Sequence, residues 1–262
     1  MIELFHNDMS VCSAKVRIVL AEKGLGWKSH TLNLRAGDAQ RPEYLRLNPN
    51  AVVPTLVHDA KVVVESAVIC EYLDDVWAET PLRPGNPLAR ARMRLWTKQL
   101  DEGVHAATGT VSACIAFRHQ HMKKSAEDLK RYIDGIPQPE RRERIQKAVE
   151  FGMDSPTFAP ALRRLDRLIA DIERALTDSD WLAGESYCLA DAAYTPYMIR
   201  LEHLGLGDMI KPRPRIADWT ARLFARPSFK TAVADWFNPE TLAVFEAHRE
   251  SAREKAARIL KA

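Results

Sequence analysis

Two residue types suited to sulfur chemistry meet in one short segment, Met9-Ser10-Val11-Cys12-Ser13, which reads as the turn between a strand and a helix. A helix N-terminus carries unpaired N–H groups and about half a positive charge, which favours a thiolate there. A hydroxyl in this place can donate a hydrogen bond to a sulfur anion and hold its pKa down. A thiol in this place can itself attack. The plainer role for Ser10 or Ser13 is to cap the helix, since serine is a preferred cap. Further along, Val53-Pro54 precedes an apolar run. Proline cannot donate to a central ladder, so it belongs at the start of a strand. With a cis bond there, the Val53 N–H and C=O face an open edge, where a peptide-like ligand can pair as an extra strand. A trans proline opening an edge strand is the alternative. Glu65-Ser66 falls at a strand end and a helix start. A carboxylate and a hydroxyl beside helix N–H donors can hold an amino group and a carboxylate together; a simple serine cap needs no ligand.

The elements that position these groups follow from pattern. Ile2–His6 reads as a strand and Ser13–Lys23 as a helix ended by Gly24, with Val16, Ile18, Val19 and Leu20 inward. Trp27–Leu32 is a second strand and Pro42–Leu47 a short helical turn. Thr55–His58 and Lys61–Val64 flank Asp59-Ala60 and read as a hairpin, followed by the helix Ser66–Val76. This order predicts an α/β unit with a small mixed sheet over residues 1–80. Three prolines and a glycine in the eight residues from Thr80 to Pro87 mark a linker at 81–87. An all-helical unit is expected over 88–262. It begins with one long helix, Leu88–Met122, that carries Trp96 and Leu100 on one face. Two short helices are expected around a break in Lys123–Glu150, then Phe158–Leu176, Leu189–Leu204, Arg215–Arg226 and an amphipathic tail Pro239–Ala262.

Composition narrows the classes. The chain has 262 residues, 46% hydrophobic and 28% charged, which excludes intrinsic disorder as the main state. A net charge of +3, spread along the chain, argues against a nucleic-acid partner and suits small anionic ligands. No apolar run approaches the ~20 residues of a membrane span. The N-terminus lacks a signal-peptide pattern, so a cytoplasmic location is expected. The four cysteines lack metal spacing and are expected as free thiols, with Cys70 and Cys114 buried and no metal bound. His119 and His121 fall on different helical faces and are expected as a solvated pair.

Taken together, SVCSAKVRIVLAEKG, LNPNAVVPTLV, VVESAVICEYLDD and WLAGESYCLADAAYTPY resemble a glutathione S-transferase over essentially the whole length. The resemblance implies a thioredoxin-like N-terminal domain joined to an all-α C-terminal domain. It implies that glutathione is the co-substrate, that Val53 pairs with its cysteinyl backbone, that Pro54 is cis, and that Glu65-Ser66 bind its γ-glutamyl group. The Met-Ser-Val-Cys-Ser turn is similar to the zeta-like, tetrachlorohydroquinone dehalogenase-like branch. There the positions of Ser10 and Cys12 both act. Met93–Lys98 is similar to the bacterial β-aryl etherases, whose serine aligns with Ser13. A tyrosine-type mechanism is excluded by the lack of tyrosine near the first turn. Met9 and His105 are expected to wall the acceptor pocket, and Asp101 and Glu102 to reach across a homodimer interface. Two positions depart from the pattern. Val52 stands where the family has Lys or Gln, and Cys188, a weak hydrogen-bond acceptor, stands where a Ser/Thr cap precedes Asp191, at a cost of roughly 1 kcal/mol. Three readings follow: a transferase in which Ser10 activates the glutathione thiolate against a small hydrophobic electrophile, a thiol-exchange enzyme led by Cys12, and a non-catalytic binding protein.

Overall fold

The computed structural model describes residues 1–261. The first part is a four-stranded sheet in the order β2-β1-β3-β4, built from β1 (Ile2–His6), β2 (Lys28–Thr31), β3 (Thr55–His58) and β4 (Lys61–Val64). β1 runs parallel to β2, which requires the crossover helix α1 (Val11–Glu22), and antiparallel to β3. The β3–β4 hairpin turns at Asp59-Ala60, both at positive φ, as a tight two-residue hairpin demands. After the short α2 (Pro42–Leu45), helix α3 (Ser66–Val76) packs beside α1.

Every residue of α1 from Ser13 to Leu20 is buried, because α3 covers one flank and two helices from the second half of the chain cover the others. Those are α10 (Leu189–His203) and α12 (Pro227–Ala232). The other helices are α4 (Pro87–Gln99), α5 (His105–Ser112), α6 (Arg118–His121), α7 (Ala126–Asp134), α8 (Pro139–Phe151), α9 (Phe158–Ala175), α11 (Pro214–Phe224) and α13 (Pro239–Lys261). One contiguous apolar core runs from the sheet through α1 into the helical half, from Leu4 and Leu56 to Trp219 and Phe245. The two halves are therefore joined by packing as well as by the linker. α13 folds back with Phe245, Ala252 and Ala256 buried; Ala262 of the expected tail lies outside the described residues. No described helix is long and apolar enough to cross a membrane.

Polar groups pin the same joint. The side chain of Lys23, at the end of α1, is buried and donates to Asp74 at 2.7 Å and to the carbonyls of Trp77 and Thr80. Asp74 in turn accepts the Leu82 N–H of the linker. At the start of α10, buried Asp191 accepts from the backbone N–H groups of Leu182 and Cys188 and from the Trp219 indole. Cys188 was expected as a weak acceptor for the helix end. The capping box is complete, with the Cys188 sulfur facing the Asp191 N–H and Asp191 accepting the Cys188 N–H, and the thiol also donates to the Asp191 carboxylate at 3.2 Å.

The expected single helix over Leu88–Met122 is broken. Gly103 sits at φ 124° and Glu102 at φ −88°, ψ 42°, inside an irregular turn at Leu100–Val104, and a second π-helical turn occupies Ala113–Phe117. Positive φ is open to glycine without steric cost. The break makes His105 the first residue of α5.

Candidate active site

The turn after β1 is held from both halves of the molecule. Arg17 is buried in α1 and donates to the carbonyls of Asn7 and Asp8 at 2.9 Å and of Ala232 at 2.8 Å. Arg200 of α10 donates to the Met9 carbonyl. Two guanidiniums thus fix three consecutive carbonyls, which aims the following N–H groups and side chains into the cleft. Neither arginine was singled out by sequence, because their targets are backbone atoms far away in the chain.

Ser10 is the N-cap of α1, and its Oγ accepts the Ser13 N–H at 3.2 Å. Capping uses an oxygen lone pair and leaves the Ser10 O–H proton available to donate into the cleft. Ser13 differs. It is completely buried, and its Oγ accepts the Asn7 N–H at 3.2 Å, so it braces the turn away from the cleft surface. Cys12 occupies the first turn of α1, half-buried, with Sγ 3.6 Å from His105 Nδ1 and 3.9 Å from Nε2. The ring nitrogen Nδ1 also lies 3.1 Å from the hydroxyl of buried Tyr197, which orients the imidazole.

These contacts set the thiol's acidity. Burial raises its pKa, but the charges of His105 and Lys15 and hydrogen bonds from His105 and Ser66 outweigh burial and bring the Cys12 thiol down to about 6. The remaining cysteines behave oppositely. Burial pushes Cys70 and Cys114 up to about 12 and Cys188 higher still. Cys12 is therefore the most acidic and the most exposed of the four thiols. His105 was expected only as a wall of the acceptor pocket; the break at Gly103 brings it to the sulfur.

The sheet edge completes the cleft. The Val53-Pro54 bond is cis, and the backbone of Val53 makes no hydrogen bond among the described residues. The preceding Val52 carbonyl is fixed by the Tyr44 hydroxyl and the Asn48 amide, which also hold Thr55. Glu65 has φ 68° and caps α3, so the chain reverses sharply at the helix start. A non-glycine residue at positive φ costs of order 1–3 kcal/mol, and such strain concentrates at ligand sites. Ser66 follows as the first residue of α3, and both side chains line the cleft with Ser10, Cys12 and Val53. A free backbone edge, a helix N-terminus and an acidic thiol within one cleft of about 1060 Å³ form a receptor for an extended peptide that carries sulfur.

Comparison with known proteins decides the family. Family models for the N-terminal and C-terminal domains of glutathione S-transferase match residues 9–76 and 144–227. The protein LigF of a Sphingobium species is 32% identical, over 87% of this chain and 91% of LigF. The chain belongs to the glutathione S-transferase family. The crystal structure of the β-etherase LigF superposes with a TM-score of 0.82 at 31% identity, over 88% of this chain and 98% of that one. A tetrachloro-p-hydroquinone reductive dehalogenase of Sphingobium chlorophenolicum is 27% identical over 88% of this chain and 95% of its own length. The thioredoxin-like sheet and all-helical second half expected from the four motifs are those of the family.

The other expected residues are placed as follows. Asp101 lines the cleft, whereas Glu102 pairs with Lys98. Met9 lines the cleft, with its sulfur accepting the Asn238 N–H at 3.3 Å. The expectation of a solvated His119–His121 pair is corrected. His121 is 3% exposed and packs on Tyr132, while His119 stacks on His248 at 3.7 Å. Their opposite faces meet different neighbours, and one of those faces is the inner wall of the cleft.

Proposed function

We propose that this glutathione transferase uses two sulfurs in sequence, with Cys12 removing glutathione from a conjugate formed in the same cleft. The observation that carries this reading is the Cys12–His105 contact at 3.6 Å, with the thiol brought down to about 6. A thiol of that acidity is mostly ionised at neutral pH and is an attacking group in its own right.

In the first step the Ser10 O–H donates to the glutathione sulfur and stabilises it as the thiolate, assisted by the α1 N-terminus. Val53 pairs with the cysteinyl backbone of glutathione, and Glu65 and Ser66 receive its γ-glutamyl end. The thiolate attacks an electrophilic carbon, the carbon–sulfur bond forms, and the leaving group departs with its electron pair. In the second step the Cys12 thiolate attacks the glutathione sulfur of that thioether. The carbon–sulfur bond breaks, its electron pair stays on carbon, and a proton from solvent yields the reduced product and a Cys12–glutathione disulfide. A second glutathione thiolate then attacks that disulfide, which releases glutathione disulfide and restores Cys12. Two glutathione molecules are oxidised together as one substrate carbon is reduced, so electrons balance. The names of the dehalogenase and β-etherase relatives fit the two halves of this sequence.

Transfer without the second step is favoured by one observation. Ser10 sits at the helix cap with its proton free, which suffices for simple conjugation. The two are separated by substitution. Ser10→Ala raises the pKa of bound glutathione, followed by thiolate absorbance, and slows conjugation about 100-fold. Cys12→Ala leaves conjugation within threefold and stops release of the reduced product, so the conjugate accumulates. Continued product release by Cys12→Ala overturns the two-sulfur reading. We further propose a homodimer as the working form, by family resemblance.

A further inference from the structure

The far wall of the cleft is built from arginines that have no carboxylate partner. Some guanidiniums of the chain pair with carboxylates, as Arg226 with Glu22, Arg94 with Glu71 and Arg213 with Asp166, and others, Arg17 and Arg118 among them, donate to backbone carbonyls. Arg35, Arg141, Arg144 and Arg200 all line the cleft, and none lies within salt-bridge distance of a carboxylate among the described residues. Their contacts are to neutral groups. Arg35 donates to Gln120 at 2.6 Å and stands 4.2 Å over the Phe117 ring; Arg141 donates to the Ala51 carbonyl; Arg200 packs over Phe117 and Phe245. Arg144 lies against Gly109 of α5.

Three polar atoms of cleft-lining side chains are buried and unpartnered: Nε of Arg200, which is 6% exposed, Nδ1 of His121, which is 3% exposed, and the amide oxygen of Gln138. A buried donor without a partner costs about 1–3 kcal/mol, and more when charged. Such a cost persists where a ligand meets it. Six carboxylates also line the cleft: Asp8 is turned to the Met9 N–H, Asp38 pairs with Arg41, Glu65 and Asp101 lie by the catalytic turn, and Glu240 and Glu140, the latter on α8 with Arg141 and Arg144 but in no ion pair with them, are exposed.

We propose that the acceptor bound beside the catalytic turn is an anion, an aromatic or unsaturated carboxylate or phenolate, whose charged group is taken by the guanidiniums of Arg35, Arg141, Arg144 and Arg200. Guanidiniums bind planar oxyanions through paired N–H donors, and a bound anion relieves their mutual repulsion. That repulsion acts within the cluster itself. Burial lowers the Arg200 pKa to about 10 with Arg35 contributing, and burial together with Arg35, Lys124 and Arg141 lowers His121 to about 3. The position fits an acceptor. Arg200 holds the Met9 carbonyl of the catalytic turn, and Arg144 lies against Gly109 of α5, the helix that carries His105.

This inference rests on the glutathione-transferase reading for the identity of the acceptor, but its test needs no turnover. The unreactive pair 3-nitrobenzoate and 3-nitrobenzamide is titrated by calorimetry in a buffer of low ionic strength, with saturating S-methylglutathione present and absent. The expected result is nitrobenzoate binding at least 10-fold tighter than the amide, with S-methylglutathione leaving that affinity within threefold. Arg144→Gln is expected to cut the preference to threefold or less. It is also expected to raise the thermal midpoint, since it removes one of four repelling charges. Arg141→Gln serves as a second variant with the same direction. Equal binding of acid and amide overturns the proposal, as does a preference that survives both variants. Displacement of nitrobenzoate by S-methylglutathione assigns the guanidiniums to the glycyl carboxylate of glutathione and likewise overturns it. Loss of glutathione chemistry with the anion preference intact overturns the function reading alone.

Discussion

Removing the His105 ring tests the thiol's activation quantitatively. The Cys12 thiol stands at about 6 because charge and hydrogen bonds outweigh the burial that raises it, with His105 contributing both. In His105→Ala the Lys15 charge and the Ser66 hydroxyl remain against burial, so the thiol returns to at least the ordinary ~8.5. At pH 7 the thiolate fraction then falls from ~90% to ~3%, about 30-fold. A more basic thiolate attacks a disulfide faster, and ~2.5 units at a Brønsted coefficient of ~0.45 give about 13-fold. The two effects nearly cancel at neutral pH, leaving a net loss of about twofold. At pH 5.5 the fraction falls about 240-fold and the net loss grows to about 20-fold. At pH 10 both thiols are ionised and the variant is about 13-fold faster. The assay is the second-order rate with the neutral probe 2,2′-dipyridyl disulfide from pH 5 to 10. The other three cysteines are buried with raised pKa values and do not contribute. Crossing rate profiles are the predicted result. A constant ratio at every pH would refute the account, because a purely structural effect of the lost ring moves both limbs together.

Other consequences are simpler to read. Asp74→Ala leaves buried Lys23 without its charge partner, and chemical denaturation should show a loss of about 3–5 kcal/mol. An unchanged midpoint would mean that the α1–linker joint is not held by this pair. Burial, with Arg17 and His30, holds His6 down to about 3, and His121 is held to about 3 as well, whereas unfolded histidines protonate near ~6.5. Both sites therefore take up protons on unfolding. Their contribution is fully present above about pH 6.5 and is lost as the pH falls towards 3, with a slope of up to ~2.7 kcal/mol per pH unit. Urea titrations across this range should show that steepening, and His121→Gln should remove about half of it. Cys188→Ser keeps a donor to Asp191 and should hold stability within about 1 kcal/mol, whereas Cys188→Val should lose more.

The parts of the site written as contiguous residues were legible in the sequence. Ser10 and Cys12 follow a strand and open a helix, Val53-Pro54 opens β3, and Glu65-Ser66 opens α3; each combines a local pattern with a residue type that means something there. The Asp59-Ala60 hairpin was read for the same reason. What the sequence hid is relational. Apolar periodicity runs without a gap through Leu88–Met122, so the break at Gly103 left no stronger signal than one glycine, and the approach of His105 to Cys12 depends on that break. Arg17 and Arg200 carry no signal in the sequence, since backbone carbonyls as targets leave no trace in composition. The cationic wall draws on residues 35, 141, 144 and 200, which become neighbours only once α8 and α10 are packed. Ser13, by contrast, carried the right residue type, and packing turned it inward.

The central claim is that Cys12 takes the glutathionyl group from a conjugate. Its most direct measurement is intact-protein and peptide mass spectrometry after rapid mixing with a glutathione thioether of an α-aryl ketone, with free glutathione withheld. The account predicts one glutathionyl group on Cys12, formed at the rate at which reduced ketone appears, and its discharge as glutathione disulfide when glutathione is added. Reduced product formed with no adduct at Cys12, or an adduct that also forms in Cys12→Ala, contradicts it.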